Sequence, residues 1–421
     1  YPEINTRKRE LFAPYNQLAN IKMKIVKLII IVLFFTNITL GQNYLGYSND
    51  SLKIKSVFLK ETVSLNLHIP ETFNFSAKST KYPITIIFDS QHERTYPQII
   101  NSIDLLTNES QIPETIIIGV PFNRNNRYYL TSSQKNKNDS LSGIERMERF
   151  LFNELIPKLQ KEFKANDYIT LVGHSRTAFL VNYLTTKQSK KIDIAIALSG
   201  FYNNKPLSIE NFKSYISDSS NFLNKFNYYF TAGSTLEEET YLTECKDVSD
   251  YISKTEMPKN FVGRFAESKN ANHMSNYWVS APSIFMDAYA DYNSILNNWF
   301  YIKLKKDTIE KPIEEFKSDL EQTGKKLGFE VNPNLTHIFS LASSFGYEKK
   351  DIQTAIDFIK LGQKYYPNYP DFDLELIGYY NQLNNLKMSE YYKTEYRNKV
   401  MSRKDISERE KTELFKKIEE E

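Results

Sequence analysis

Gly173-His174-Ser175 closes a strand-forming run, Tyr168–Val172, and opens a segment rich in Ala, Phe and Leu. A serine on such a corner can serve as a nucleophile, because a sharp strand-to-helix turn presents its hydroxyl at the end of a sheet. A hydroxyl is almost un-ionised at neutral pH, so the chemistry needs a base. The chain has five histidines. His174 adjoins the serine, and a sharp turn would aim it elsewhere. His68 falls in an early pair of strands, His92 in the loop after Phe88-Asp89, and His337 among C-terminal helices. His273, in "ESKNANHMSNYW", which reads as a polar loop after the last sheet strand and before the closing helix, follows Ser175 within the same strand-and-helix segment and is the expected base. The acid that orients the imidazole should lie between them, just past a strand. "YYFTAGSTLEEE" supplies Glu237, Glu238 and Glu239. Glu237 is nearest the strand end and is the first choice, with Glu238 next and Asp247 and Asp250 farther off. Three adjacent glutamates also suit a solvated helix start. For the developing oxyanion, the backbone amide of Arg176 and that of Ser90 or Gln91, in "IIFDSQHERTY", are the expected donors.

These residues need a scaffold that brings residues 90, 175, 237 and 273 to one edge. From Ser51 to about Phe300 the pattern alternates strand and helix. "LKIKSVFL" and "TVSLNLHI" read as an antiparallel pair. "YPITIIFDS" and "ETIIIGVPF" are continuous β-branched runs, as strands covered on both faces require. "GIERMERFLFNELIPKLQKEF" has helical spacing. Further strands are expected at "IDIAIALS" and "FNYYFTAGS", and a closing helix at "APSIFMDAYADYNSILNNWF". The prediction is an α/β fold with a mostly parallel sheet, in which sites form at the carboxyl ends of the strands.

Beyond about residue 300 the chain turns charged and helical. Two helices ending at Tyr366-Pro367, with Ala355, resemble the end of a tetratricopeptide unit, and a second helix pair follows. Two units are fewer than a stable solenoid needs. The segment is therefore expected to pack on the α/β part or to self-associate, and it offers a surface for a protein partner.

Composition narrows the function classes. The 421 residues are 41% hydrophobic and 25% charged, a globular profile. The net charge is +3, and six of the cations lie in the first 41 residues against two acids. The rest of the chain is near neutral, which gives no reason to expect nucleic acid or acidic membranes as partners. A single cysteine, Cys245, excludes an internal disulfide and a cysteine-based zinc site, and reads as a spectator thiol. "MKIVKLIIIVLFFTNITLGQ", starting at Met23, has a basic start, a short apolar core and small residues before Gln42. It reads as an export signal spanning residues 23–41, too short to span a membrane. Residues 1–22 read as translation from upstream of the start and are set aside. The predicted layout is a 42–300 α/β part and a 301–421 helical part in a periplasmic or secreted protein.

Several segments together resemble the esterase D-like branch of the α/β-hydrolase superfamily, which includes enterochelin esterases, feruloyl esterases and mycolyltransferases. "YPITIIFDSQH", "IIIGVPFNRNNRYYLT" with Arg127, "FLFNELIPKLQKEF", "VGHSRTAFL" and "NANHMSNYWVSAPSIFMDAY" are similar to its ordered motifs over about residues 50–300. The resemblance implies Ser175 as nucleophile and His273 as base, in a hydrolase of carboxylic esters of siderophores, acylated sugars or simple acyl groups. It implies no metal or organic cofactor. Ser90 and Thr177 stand where the family usually has glycine. The same Ser–His pair would serve acyl transfer. A non-catalytic binding protein with a working helical surface is the reading of a different class.

Overall fold

The computed structural model describes residues 46–420. The expected export signal at 23–41 and the set-aside segment 1–22 lie outside the described residues. Two antiparallel strands open the fold, β1 (Asp50–Ser56) and β2 (Glu61–His68), in register from Asp50 opposite Leu67 to Ser56 opposite Glu61. The continuous apolar runs become β3 (Tyr82–Phe88) and β4 (Ile116–Val120), with every residue of both buried. Next come β5 (Ala165–His174), β6 (Ile194–Leu198), β7 (Phe226–Gly233) and β8 (Phe261–Ser268). The eight strands lie in the order β1-β2-β4-β3-β5-β6-β7-β8. β2 meets β4 antiparallel, and all pairs from β4 onward are parallel. The predicted α/β class is therefore observed.

Helices cover both faces: α1 (Thr95–Asn108), the single turn α2 (Arg127–Leu130), α3 (Gly143–Phe150), α4 (Ile156–Glu162), α5 (Arg176–Gln188), α6 (Ile209–Ser217), α7 (Glu239–Lys254), α8 (His273–Ala288) and α9 (Ala290–Asn298). The helix expected over 143–163 is broken by a π turn at Leu151–Leu155. Pro157 lies just beyond it and cannot donate to the preceding turn. Two expectations need correction. The sheet does not end at "FNYYFTAGS", because β8 pairs with β7 over eight residues. β8 is an edge strand with only Phe261 buried, so it lacks the apolar run that marks an interior strand. His273 is not in a loop but is the first residue of α8, behind an Asn272–Ser275 capping box.

The helical segment comprises α10 (Pro312–Leu327), α11 (Leu335–Ser343), α12 (Ile352–Tyr365), α13 (Asp371–Gln382), α14 (Leu386–Ser402) and α15 (Glu408–Glu420). It belongs to the same compact unit as the sheet. Its contacts include the amino ends of the strands, the loop before β4 and helix α9, where Lys326 pairs with Asp291. Ser110 Oγ donates to Asn334 Oδ1 (2.9 Å), Asn334 Nδ2 to the Thr107 carbonyl (3.1 Å), and the Ala77 amide to the Tyr365 carbonyl (2.7 Å). Tyr168 of β5 packs against Phe329 with ring centroids 4.5 Å apart. Trp299, just past α9, is fully buried against Phe316, Phe345 and Phe358, so the core of the helical part begins before residue 301. Among the described residues no helix is long and apolar enough to cross a membrane.

Candidate active site

Three neighbouring strands end in residues with left-handed backbone. After β3 comes Asp89 (φ 61°), after β5 Ser175 (φ 57°), and after β6 Ser199 (φ 47°). Such conformations cost about 1–3 kcal/mol each in a non-glycine residue, so the surroundings must hold them. Ser175 caps α5 with φ 57° and ψ −118°, and its amide donates to the Leu198 carbonyl at 2.9 Å. The turn is tight. A Cβ on Gly173 would lie 2.3 Å from the Thr177 carbonyl oxygen, so no larger residue fits there without displacing α5.

Thr177, where the related motif has glycine, does not crowd the turn. Its hydroxyl accepts from the His174 amide (2.9 Å) and lies 2.8 Å from Asp89 Oδ2 and 2.9 Å from the His174 carbonyl. Asp89 is buried and is gripped by Arg127 through two short bonds, Nε to Oδ1 at 2.6 Å and Nη2 to Oδ2 at 2.7 Å. Burial alone would raise this carboxyl. The bonds and charge of Arg127, with Gln91 and Thr177, hold it below the usual carboxylate value. The pair ties the β3 loop to the serine turn.

His273 is held at three points. Its Nδ1 bonds Glu238 Oε1, its amide donates to Glu237 Oε1 (2.8 Å), and its carbonyl accepts from His174 Nε2 (2.8 Å). Its ring packs between those of His174 and Tyr241, at centroid distances of 4.5 and 4.7 Å. The expected order of the acids is thus reversed. Glu238, not Glu237, orients the imidazole. The two glutamates end a 3-10 turn, Leu236–Glu238, whose last residue points inward while Glu237 stays exposed. Glu237 instead satisfies an amide at the start of α8, which has no acceptor within the helix. Glu239, Asp247 and Asp250 are not joined to the imidazole; Asp247 and Asp250 pair with Lys213 and Lys254.

Glu238 is fully buried, and its second oxygen accepts from Ser199 Oγ (2.6 Å) and the Gly233 amide (2.7 Å). Asn276 Nδ2 donates to Ser199 Oγ at 2.7 Å, and Asn276 Oδ1 accepts from Ser280 Oγ at 2.7 Å. Burial would raise the Glu238 carboxyl, but these donors and His273 hold it below its ordinary value. The ionised acid fixes the proton on Nδ1 of the imidazole and leaves Nε2 with a free lone pair. His174 is pushed down to about 4, first by burial and then by its neighbour His273, so at neutral pH it is an uncharged donor to the His273 carbonyl.

Ser175 and His273 line one pocket of about 430 Å³, together with Gln91, Phe122, Arg127 and Met274. Among the described residues no hydrogen bond links Ser175 Oγ to the imidazole. Free-state catalytic bonds are often longer than those in a substrate complex. Of the expected oxyanion donors, Ser90 is corrected. Its amide donates to the Val120 carbonyl at 3.3 Å and its Cβ packs on Gly119. Gln91 stays in the pocket wall, with its side chain bridging Asp89 and the Phe122 amide. Arg176 is the first residue of α5, so its amide has no acceptor within that helix.

His92, exposed, stays in the wall of the same pocket, whereas two other histidines are structural. His68 bridges Ser48 and Tyr96, and His337 is buried in the cap of α11, pushed down to about 3 by burial. Cys245 is fully buried and its thiol is pushed up by burial, in keeping with a spectator role. A larger cavity, about 700 Å³, lies at the opposite end of the sheet beside Tyr168, Asp193 and Phe329, and contains no nucleophile–base pair. Ser199, Asn276 and the Asp89–Thr177 contact were not anticipated from sequence. A polar residue directly after a buried apolar run, as in "IAIALS" and "ITIIFD", was the available signal.

This fold, with a serine elbow and a histidine–glutamate pair at the carboxyl ends of parallel strands, defines an α/β-hydrolase. The family model described as "Putative esterase" matches residues 56–280, and the chain belongs to that family. It is a hydrolase of carboxylic esters. A structure of an uncharacterised protein from Capnocytophaga ochracea superposes with a TM-score of 0.56 at 14% identity, covering 89% of this chain and 100% of that one. Coverage that high must extend into the helical segment. An IroE-like serine hydrolase from Shewanella oneidensis superposes with a TM-score of 0.53 at 14% identity, covering 83% of this chain and 99% of that one. Comparison with curated proteins gives no match.

Proposed function

We propose that the protein is an exported serine esterase that works through an acyl-enzyme on Ser175. The observation that carries this reading is the left-handed elbow serine sharing a pocket with an imidazole whose far nitrogen is bonded to a buried carboxylate. His273 Nε2 takes the hydroxyl proton as Ser175 Oγ attacks the ester carbonyl. Glu238 stabilises the imidazolium that forms. The amides of Arg176 and Gln91 receive the oxyanion. The imidazolium then protonates the departing alkoxide, and water activated by the same imidazole releases the acid. Small-molecule or glycan-linked esters suit the open pocket.

The test is a fluorophosphonate probe followed by peptide mapping. Labelling on Ser175 that is lost in His273→Ala supports the mechanism, and absence of labelling on the folded protein overturns it. A hydroxyl acceptor added to an ester assay would yield new ester if the enzyme transfers acyl groups instead of hydrolysing them. Export rests on the sequence pattern of residues 23–41. Mass spectrometry of secreted protein should find an amino terminus near Gln42 or Asn43.

A further inference from the structure

Arg176 follows the nucleophile, and its half-buried side chain lies against two aromatic rings. The guanidinium carbon lies 4.3 Å from the centroid of the Tyr128 ring and 5.8 Å from that of Phe201. Phe201 is 6.2 Å from Tyr241, whose ring packs on His273 at 4.7 Å. A series of ring contacts therefore runs from Arg176 to the base. The stacked rings fix the plane of the guanidinium, which presents its donors as a planar fork suited to carboxylates.

Among the described residues no acceptor takes these donors. Nη1 of Arg176 is enclosed and has no hydrogen-bond partner, and Arg176 makes no ion pair among the described residues. Arg127 and Arg146, whose guanidinium groups are likewise shielded, each hold a carboxylate, Asp89 and Asp139. The acids near the nucleophile are also taken: Asp89 by Arg127, Glu238 by the His273 ring, and Glu237 by the His273 amide. Enclosed polar groups are nearly always paired, and an unpaired one at a site calls for a partner from outside. We infer that Arg176 is a specificity residue that binds a carboxylate carried by the ester substrate. The inference rests on the esterase reading of the same pocket.

The test uses two matched pairs of esters. 4-Acetoxybenzoate and 4-acetoxybenzamide differ in a carboxylate on the leaving side. Monomethyl and dimethyl adipate differ in one on the acyl side. Binding is measured by calorimetry to Ser175→Ala, which does not depend on turnover, and kcat/KM is measured on the unmodified enzyme. In at least one pair the anionic member should bind roughly ten- to a hundredfold more tightly, as expected for bonds to a charged group. That preference should shrink in high salt, be lost in Ser175→Ala/Arg176→Gln, and be partly kept with Arg176→Lys. The anionic-to-neutral ratio is the readout, so any loss common to both esters cancels. Equal binding of both members in both pairs, or a preference that survives Arg176→Gln, overturns the inference. Preferential binding with no turnover of any ester would retain this inference and overturn the esterase reading instead.

Discussion

The two ends of the sheet treat shielded acids, buried at one end and half-buried at the other, in opposite ways. At the carboxyl ends, Asp89 and Glu238 are each surrounded by donors and are held below the ordinary carboxylate value despite burial. At the amino ends, where the helical segment docks, Glu114 and Asp193 have few partners. Glu114 accepts from Thr72 (2.7 Å) and at 3.4 Å from Tyr366, and Asp193 accepts from the Ile169 amide (2.8 Å). Desolvation pushes both up to about 7. The lesson is that burial alone does not make an acid functional. The number of donors aimed at it decides whether it stays ionised and available to orient a base.

The largest expected effect lies at the donor-rich end. Ser175→Ala should lower ester turnover by about 10⁴-fold or more with little change in melting temperature, and His273→Ala added to it should cost little further. Glu238→Gln should cost up to about 10⁴-fold, because a neutral amide cannot stabilise the imidazolium, whereas Glu237→Gln should stay within about tenfold. Steady-state kinetics on the purified variants checks both. Equal losses for the two glutamates would erase the distinction drawn from their partners.

A smaller effect is expected one step back. Ser199→Ala removes one donor to Glu238, and bonds to charged groups are worth about 1.5–3 kcal/mol. Urea unfolding should show a loss in that range at pH 7. The loss should shrink as pH falls through the lowered pKa of Glu238, since the bond favours the ionised form. A loss independent of pH would mean that Ser199 serves packing alone.

The smallest effect belongs to the donor-poor end, and its sign is reversed. Below the ordinary carboxylate value Glu114 is protonated folded or unfolded. Between that value and about 7 the unfolded chain releases the proton while the folded chain keeps it, so stability falls as pH rises through this window. Glu114→Gln should flatten that slope and gain less than about 3 kcal/mol at pH 8 relative to pH 4. Denaturant titrations at the two pH values decide it. A variant that loses stability more steeply above pH 7 than the parent would break the contrast between the two ends.

Much of this was legible in the residues. Interior parallel strands are buried on both faces, so β3, β4, β6 and β7 stand out as apolar runs, and the elbow stands out because a strand, Gly173 and a helix adjoin Ser175. β8 escaped notice because an edge strand carries Arg264 and Glu267 where an interior strand would carry Ile or Val. The choice between Glu237 and Glu238 failed for a geometric reason. In a tight 3-10 turn one residue's step turns a side chain from solvent to core, and three like residues in a row carry no pattern to say which. Ser90 failed as an oxyanion donor because its amide is spent on β4, a pairing that depends on strand order rather than on local sequence.

The docking of the helical segment also sets a timetable. Ser110 and Asn334 are 224 residues apart, and Glu114 and Tyr366 are 252 apart. Ribosomes add about 5–20 residues per second. Roughly 13–50 s therefore pass between synthesis of Glu114 and arrival of the tyrosine that covers it, a span of 252 residues. Through that interval Tyr82 and Glu114, at the amino ends of β3 and β4, have been made but lack Tyr366. That end of the sheet thus waits for the last quarter of the chain, and a nascent chain stalled before α12 would leave Glu114 and Tyr82 without Tyr366, open to whatever chaperone or partner meets them first.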